Sequence, residues 1–209
     1  MASSMIHIAV ANEVNKKLNR DRSKLLIGSI APDIGKLVGL EKIVTHFGDN
    51  NDNIPNLDKF LDKYKDNLND DFVLGYYIHL ITDYLWFKYF VTEIDSDGLI
   101  TKLDGTKVKC VDNMLYIYMY NDYTNLNIKL IEEYDLDLKI FYDEIPELEN
   151  IIKEIPMDKI SVIVDKAGEI IENSKKRKEY LFNIDNIKTF VTTSTDLILS
   201  NLKEMGIEK

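Results

Sequence analysis

From Asp70 to Ile94 the chain reads DDFVLGYYIHLITDYLWFKYFVTEI, with no proline and a single glycine, Gly75. Apolar and aromatic side chains fall on nearly every face of a helical projection of this segment. A helix of that kind is stable only when other helices surround it. The rest of the chain supplies candidates at the same period. Ile8, Val10, Val14 and Leu18 mark a first helix, with Ser3 or Ser4 as its cap. NLDKFLDKYKDNL, residues 56–68, is amphipathic. NMLYIYMYNDYTNLNIKLIEEY, LKIFYDEIPELENIIKEI, DKISVIVDKAGEIIENSKKR and IDNIKTFVTTSTDLILSNLKEM also read as helices.

Breaks are few, because the whole chain holds four prolines and nine glycines. One break lies in SKLLIGSIAPDIGKL, where Gly28 and Pro32 put Asp33 at a turn or helix start. Strand-and-turn chemistry is confined to DSDGLITKLDGTKVKCVD, which carries Asp-Gly pairs at 97–98 and 104–105. A small loop or β-hairpin insertion is expected near residues 95–110. EIDSDGLITKLD, residues 93–104, spaces its acids somewhat like a calcium loop. It has Glu93 where Asp is usual and Asp104 where a bidentate Glu is usual, so the hairpin is preferred. No repeat or composition step divides the chain, and an all-α, multi-helix single domain over residues 1–209 is expected.

Charge narrows the function classes. A formal net charge of −10 argues against nucleic acid as a partner, since no broad basic surface is available to seek phosphates. The one dense basic run, KKRK at 175–178, is followed by Glu179 and reads as a solvated loop or helix end. No apolar run reaches the roughly 18 residues of a transmembrane helix. The N-terminal segment lacks the basic region of a signal peptide and Cys110 is the only cysteine, so a cytoplasmic setting is expected.

All three histidines of the chain lie in apolar sequence: His7 in MIHIAVA, His46 in IVTHFGD and His79 in LGYYIHLITD. His79 and Asp83 are four residues apart, so one helical face presents both, with Gly75 a turn earlier leaving room for another backbone or a ligand. Taken alone, the pair reads as an internal hydrogen bond. Three histidines and two aspartates, Asp33 and Asp83, in surroundings where polar groups demand partners, read instead as metal ligands. Such N and O donors without thiolates suit a divalent metal, zinc first, with iron or manganese as alternatives. Asp122, in YIYMYNDYTNLN, is the best further oxygen donor downstream, ahead of Glu132 and Glu133. The aromatic stretches YLWFKYF and LYIYMYNDY are assigned to packing rather than to a substrate cleft.

MIHIAVA, IGSIAPDI, THF and above all DFVLGYYIHLITD together resemble the zinc-dependent phospholipase C family, which is related in fold to the fungal single-strand-specific nucleases. The resemblance covers roughly the first 90 residues. It implies an all-α fold and a metal-dependent hydrolase of phosphoesters, acting on a small or phospholipid-like substrate. It also implies that Asp33, His46, His79 and Asp83 hold a first metal, that His7 serves a neighbouring one, and that Asp83 bridges. Asp33 and Asp83 would be the catalytic carboxylates, Asp33 orienting or deprotonating the attacking water. The chain has no histidine after His79, so one or two ions are expected rather than three. The alternative is a catalytically inactive, metal-stabilised helical domain with a binding or regulatory role. A His-Asp-type phosphohydrolase is less favoured, because no His-Asp dipeptide occurs.

Overall fold

The computed structural model describes residues 1–49 and 54–207. Its helices are α1 (Ser4–Leu18), α2 (Arg22–Gly28), α3 (Gly35–Val38), α4 (Lys42–Thr45), α5 (Leu57–Tyr64), α6 (Asp71–Leu85), α7 (Thr92–Ile94), α8 (Met114–Tyr134), α9 (Ile160–Glu172) and α10 (Ile184–Glu204). The fold is all-α with one small sheet. No helix among the described residues is long and apolar enough to cross a membrane.

Helix α6 is the hub, packing on α1, α2, α5 and α10, while α1 also meets α8 and α10. All of α6 is buried except Asp71 and Tyr84. Each large apolar side chain so buried contributes about 1.5–3 kcal/mol, which explains why this segment governs the fold. Asp70 starts the helix by accepting the amide of Val73 at 2.9 Å, as Ser3 starts α1 by accepting that of Ile6 at 3.3 Å. At its end the helix widens into a π-helical turn, Trp86–Val91, which sets Trp86 against Phe90, Phe182 and Phe190.

Two glycines set the spacing between α2 and α6. A Cβ on Gly75 would lie 2.1 Å from the carbonyl oxygen of Leu25, and one on Gly28 would lie 2.2 Å from that of Phe72. The space beside Gly75 is therefore filled by the α2 backbone, one of the two occupants the sequence allowed.

Residues 95–110 form a three-stranded antiparallel meander: β1 (Asp95–Ser96), β2 (Leu99–Thr101) and β3 (Lys107–Lys109). Asp97 and Gly98 both have positive φ, 54° and 71°, as a tight Asp-Gly hairpin turn requires. β1, β2 and the turn between them run through the middle of the calcium-loop look-alike.

One expected helix is absent. LKIFYDEIPELENIIKEI forms only a short 3-10 turn, Lys139–Phe141, and then runs without regular structure. Pro146 removes a helical N–H and disfavours the helical conformation at Ile145. The chain beyond it is tied down as a strap: Ile152 and Ile155 are buried, Lys153 donates its amide to the Tyr64 hydroxyl at 2.9 Å, and that hydroxyl donates to Glu154 at 2.7 Å. Its apolar period came from residues packing as an extended segment.

Candidate metal centre

Four elements deliver the three histidines and Asp33 and Asp83 to one place. His7 lies in the first turn of α1 and is fully buried. Pro32 opens a 3-10 turn, Ala31–Ile34, that fixes Asp33 between α2 and α3. His46 follows directly on α4, and α6 supplies His79 and Asp83 on one face. The close approach of α2 to α6 brings the carbonyl of Ser29 within 2.8 Å of His79 Nδ1.

That contact settles the His79 tautomer. A carbonyl oxygen only accepts, so Nδ1 carries the proton and Nε2 is left with a lone pair. Nε2 lies 3.2 Å from His46 Nε2 and 3.8 Å from Asp33 Oδ1, and His46 Nε2 lies 3.6 Å from that same oxygen. His46 Nδ1 meets the Thr45 hydroxyl at 2.9 Å. A hydroxyl can donate or accept, so His46 can carry its proton on either nitrogen. With the proton on Nε2 it bonds His79, and with the proton on Nδ1 both Nε2 lone pairs are free for a cation. Donors held 2.0–2.2 Å from one ion stand roughly 3.3–3.6 Å apart in a tetrahedron. Shifts of a few tenths of an ångström bring Asp33, His46 and His79 to that spacing.

His7, His79 and Asp83 form a second triad, each with one donor atom within 4.8 Å of the others, as in the first. The His7 ring stacks on His79 at a centroid distance of 3.8 Å, and its Nε2 lies 3.4 Å from Asp83 Oδ1. Asp83 Oδ2 is 3.5 Å from His46 Nε2, so this carboxylate reaches towards both triads. His79 has one lone pair to give, however, so only one triad can be complete at a time.

The electrostatics favour ligation. Burial lowers the pKa of His46, and burial with neighbouring His7 takes that of His79 well below its ordinary value, keeping both rings neutral. Burial would raise the pKa of Asp83, but Lys42, the chain's amino terminus, His46 and His7 outweigh it and hold the carboxyl well below the usual range. Lys42 Nζ is 3.0 Å from Asp83 Oδ2, and the amide of Ala2 donates to Oδ1 at 2.9 Å. Two histidines and an aspartate are thus in the ionisation states a metal requires. The donor set fits a divalent ion on a further ground. Both ring nitrogens of His7 and Oδ1 of Asp33 are buried with no hydrogen-bond partner among the described residues.

Asp122 is not brought into either triad. It is buried, and its carboxylate accepts the backbone amides of Tyr180, Leu181 and Phe182 at 2.7–3.3 Å, fixing the chain that leads into α10. Its polar character in an aromatic helix comes from that anchoring role. Glu132 and Glu133 are exposed, and Glu133 pairs with Lys188. Lys42 was missed by sequence reasoning. The available signal was its position four residues before His46 in LEKIVTHF, which puts the ammonium and the imidazole on one side of a helical turn.

Two cavities flank the centre. One of about 320 Å³ is lined by Asp33 together with Leu37, Tyr120, Ile163 and Ile170. The other, about 790 Å³, is lined by Lys36, Lys42 and Arg177 with Tyr116 and Tyr120, and no acidic residue among the described residues lines it. Arg177 comes from the KKRK run, which lies along α8 through its backbone contacts with Thr124 and Asn125. Tyr120 and Tyr123 line both cavities, and Tyr123, which is buried, donates its hydroxyl to the Met1 carbonyl at 2.8 Å. No family model, curated protein or solved structure matches the chain.

Proposed function

We propose that this chain is a metal-dependent hydrolase of phosphoesters. The observation that carries the reading is the convergence of His7, Asp33, His46, His79 and Asp83 into two overlapping triads whose donor atoms lie within 4.8 Å of one another. The resemblance of the first roughly 90 residues to the zinc-dependent phospholipase C family supports the same class. Zinc suits the donor set best, with iron and manganese accepted by the same atoms. A divalent ion bound here would lower the pKa of a water and neutralise phosphate oxygens.

The chain's own residues divide the remaining work. His46 and His79 hold the centre from the buried side, oriented by Thr45 and Ser29. Asp33 lines the smaller of the two cavities, so its carboxylate is placed to orient an attacking water and accept its proton. Asp83 spans the two triads. Lys36, Lys42 and Arg177 give the larger cavity a positive lining within a chain of net charge −10, which suits the phosphate of a small or phospholipid-like ester. The cytoplasmic setting expected from the lone Cys110 belongs to this reading.

A second reading has its own support. His7, His79 and Asp83 are fully buried and His46 is 3% exposed, as in a closed structural site that offers no open position for substrate. The chain would then be a metal-stabilised binding or regulatory domain. Assaying metal-loaded protein on phosphomonoesters, phosphodiesters and phospholipids separates the two. Turnover that disappears in Asp33→Asn with metal retained supports the hydrolase. Inactivity on every substrate despite bound metal favours the structural role.

A further inference from the structure

Resting on the metal-centre reading, we infer that the Lys42 ammonium takes the place of a second metal ion, so that the centre holds one divalent ion per chain.

The donor count comes first. His79 Nε2 offers one lone pair, because Nδ1 is committed to the Ser29 carbonyl at 2.8 Å. An ion bound by Asp33, His46 and His79 uses that lone pair, and Asp83 stands outside this triad, its Oδ2 3.5 Å from His46 Nε2. Of the triad donors, what remains for a neighbouring ion is His7 Nε2 and the Asp83 carboxylate, whose Oδ1 lies 3.4 Å from it and whose Oδ2 is taken by Lys42. Oδ1 already accepts the amide of Ala2 at 2.9 Å.

Charge and placement agree with the count. Lys42 Nζ sits 3.0 Å from Asp83 Oδ2 and 4.8 Å from the centre of the Phe87 ring. The side chain is 18% exposed, so this is a positioned ammonium rather than a roaming surface charge. Counting side chains and metal alone, two carboxylates, Asp33 and Asp83, face one dication and one lysine, a sum of about +1. A second dication would bring the sum to about +3 among buried groups, with little solvent to screen it. Asp83 is therefore neutralised by the Lys42 ammonium on Oδ2, where a second ion would otherwise bind, while the Ala2 amide and His7 hold Oδ1. Lys42 also lines the larger cavity.

The test counts ions. Wild-type protein, Lys42→Met and Lys42→Arg are saturated with zinc or cobalt, freed of unbound metal by gel filtration, and analysed for metal per chain. One ion is expected in wild type and Lys42→Arg, and two in Lys42→Met. Cobalt should give an isolated-ion paramagnetic resonance signal in the first two and a spin-coupled, weakened one in the third. Adding His7→Ala to Lys42→Met should return the count to one. Lys42→Gln serves if the methionine variant does not fold. Two ions in wild type, or one in the folded uncharged variant, overturn the inference while leaving a metal centre standing. No ion in any of them removes the metal-centre reading and the inference with it.

Discussion

The Nε2 atoms of His46 and His79 face each other across 3.2 Å, while the Nδ1 atoms of the same rings are held by the Thr45 hydroxyl and the Ser29 carbonyl. Two neutral imidazoles in that arrangement either share the proton on His46 or share a cation. Thr45 is the residue that allows the exchange, because its hydroxyl can donate to or accept from His46 Nδ1. Replacing it with valine, which keeps the shape and loses the hydroxyl, is expected to weaken metal affinity about 10- to 100-fold. Competition with a chromophoric chelator measures this, and an unchanged affinity would remove Thr45 from the centre.

Acid should unfold the metal-free protein early. His46 and His79 have folded-state pKa values below the ordinary 6.5, so below that pH the unfolded chain binds protons that the folded chain refuses. Their contribution to stability is whole above about pH 6.5 and falls as the pH drops, by up to about 1.4 kcal/mol per pH unit for each ring. Asp83, whose pKa is lowered from 3.8, adds a second loss below that value. Urea denaturation of metal-free protein between pH 8 and 4 checks the slope. A flat profile from pH 7 to 5 would contradict the burial of neutral rings.

Gly75→Ala tests the contact that places Ser29 under His79. The new methyl would meet the Leu25 carbonyl oxygen at 2.1 Å, backbone against backbone, where no side chain can turn aside. A destabilisation of about 3 kcal/mol is expected, together with weaker metal binding as α2 moves off α6. Thermal melts and chelator competition on the same sample read both effects.

Asp122→Ala should separate stability from metal binding. Three backbone amides, at Tyr180, Leu181 and Phe182, lose their acceptor. The expected cost is about 3 kcal/mol of folding stability with the metal count unchanged. Loss of metal from a folded Asp122→Ala protein would return this carboxylate to the centre.

The helical fold was legible because the period of α1, α6, α8 and α10 is set by burial, and burial is written directly in residue type. The same signal misled at residues 138–155, where Ile152 and Ile155 are buried from an extended strap and Pro146 outweighs the apolar spacing. The three histidines and two of the aspartates were legible because each is polar in an apolar setting. Asp122 shows the limit of that rule, since a buried carboxylate can be satisfied by backbone amides as fully as by a metal. Lys42 was not legible, because a lysine in a short polar segment looks solvated until the fold brings Asp83 to it from forty-one positions away. The lining of the larger cavity was hidden for the same reason: Arg177 lies far in sequence from Lys36 and Lys42 and joins them only in the fold.

The most direct measurement is the metal content of purified wild-type protein beside His79→Ala, with folding of both verified by circular dichroism. At least one divalent ion per wild-type chain is expected to survive dialysis, and affinity should fall by more than about 100-fold in the variant, since His79 belongs to both triads. Wild-type protein that holds no ion under zinc, iron or manganese saturation, or a folded His79→Ala protein that binds as tightly as wild type, would contradict the metal centre.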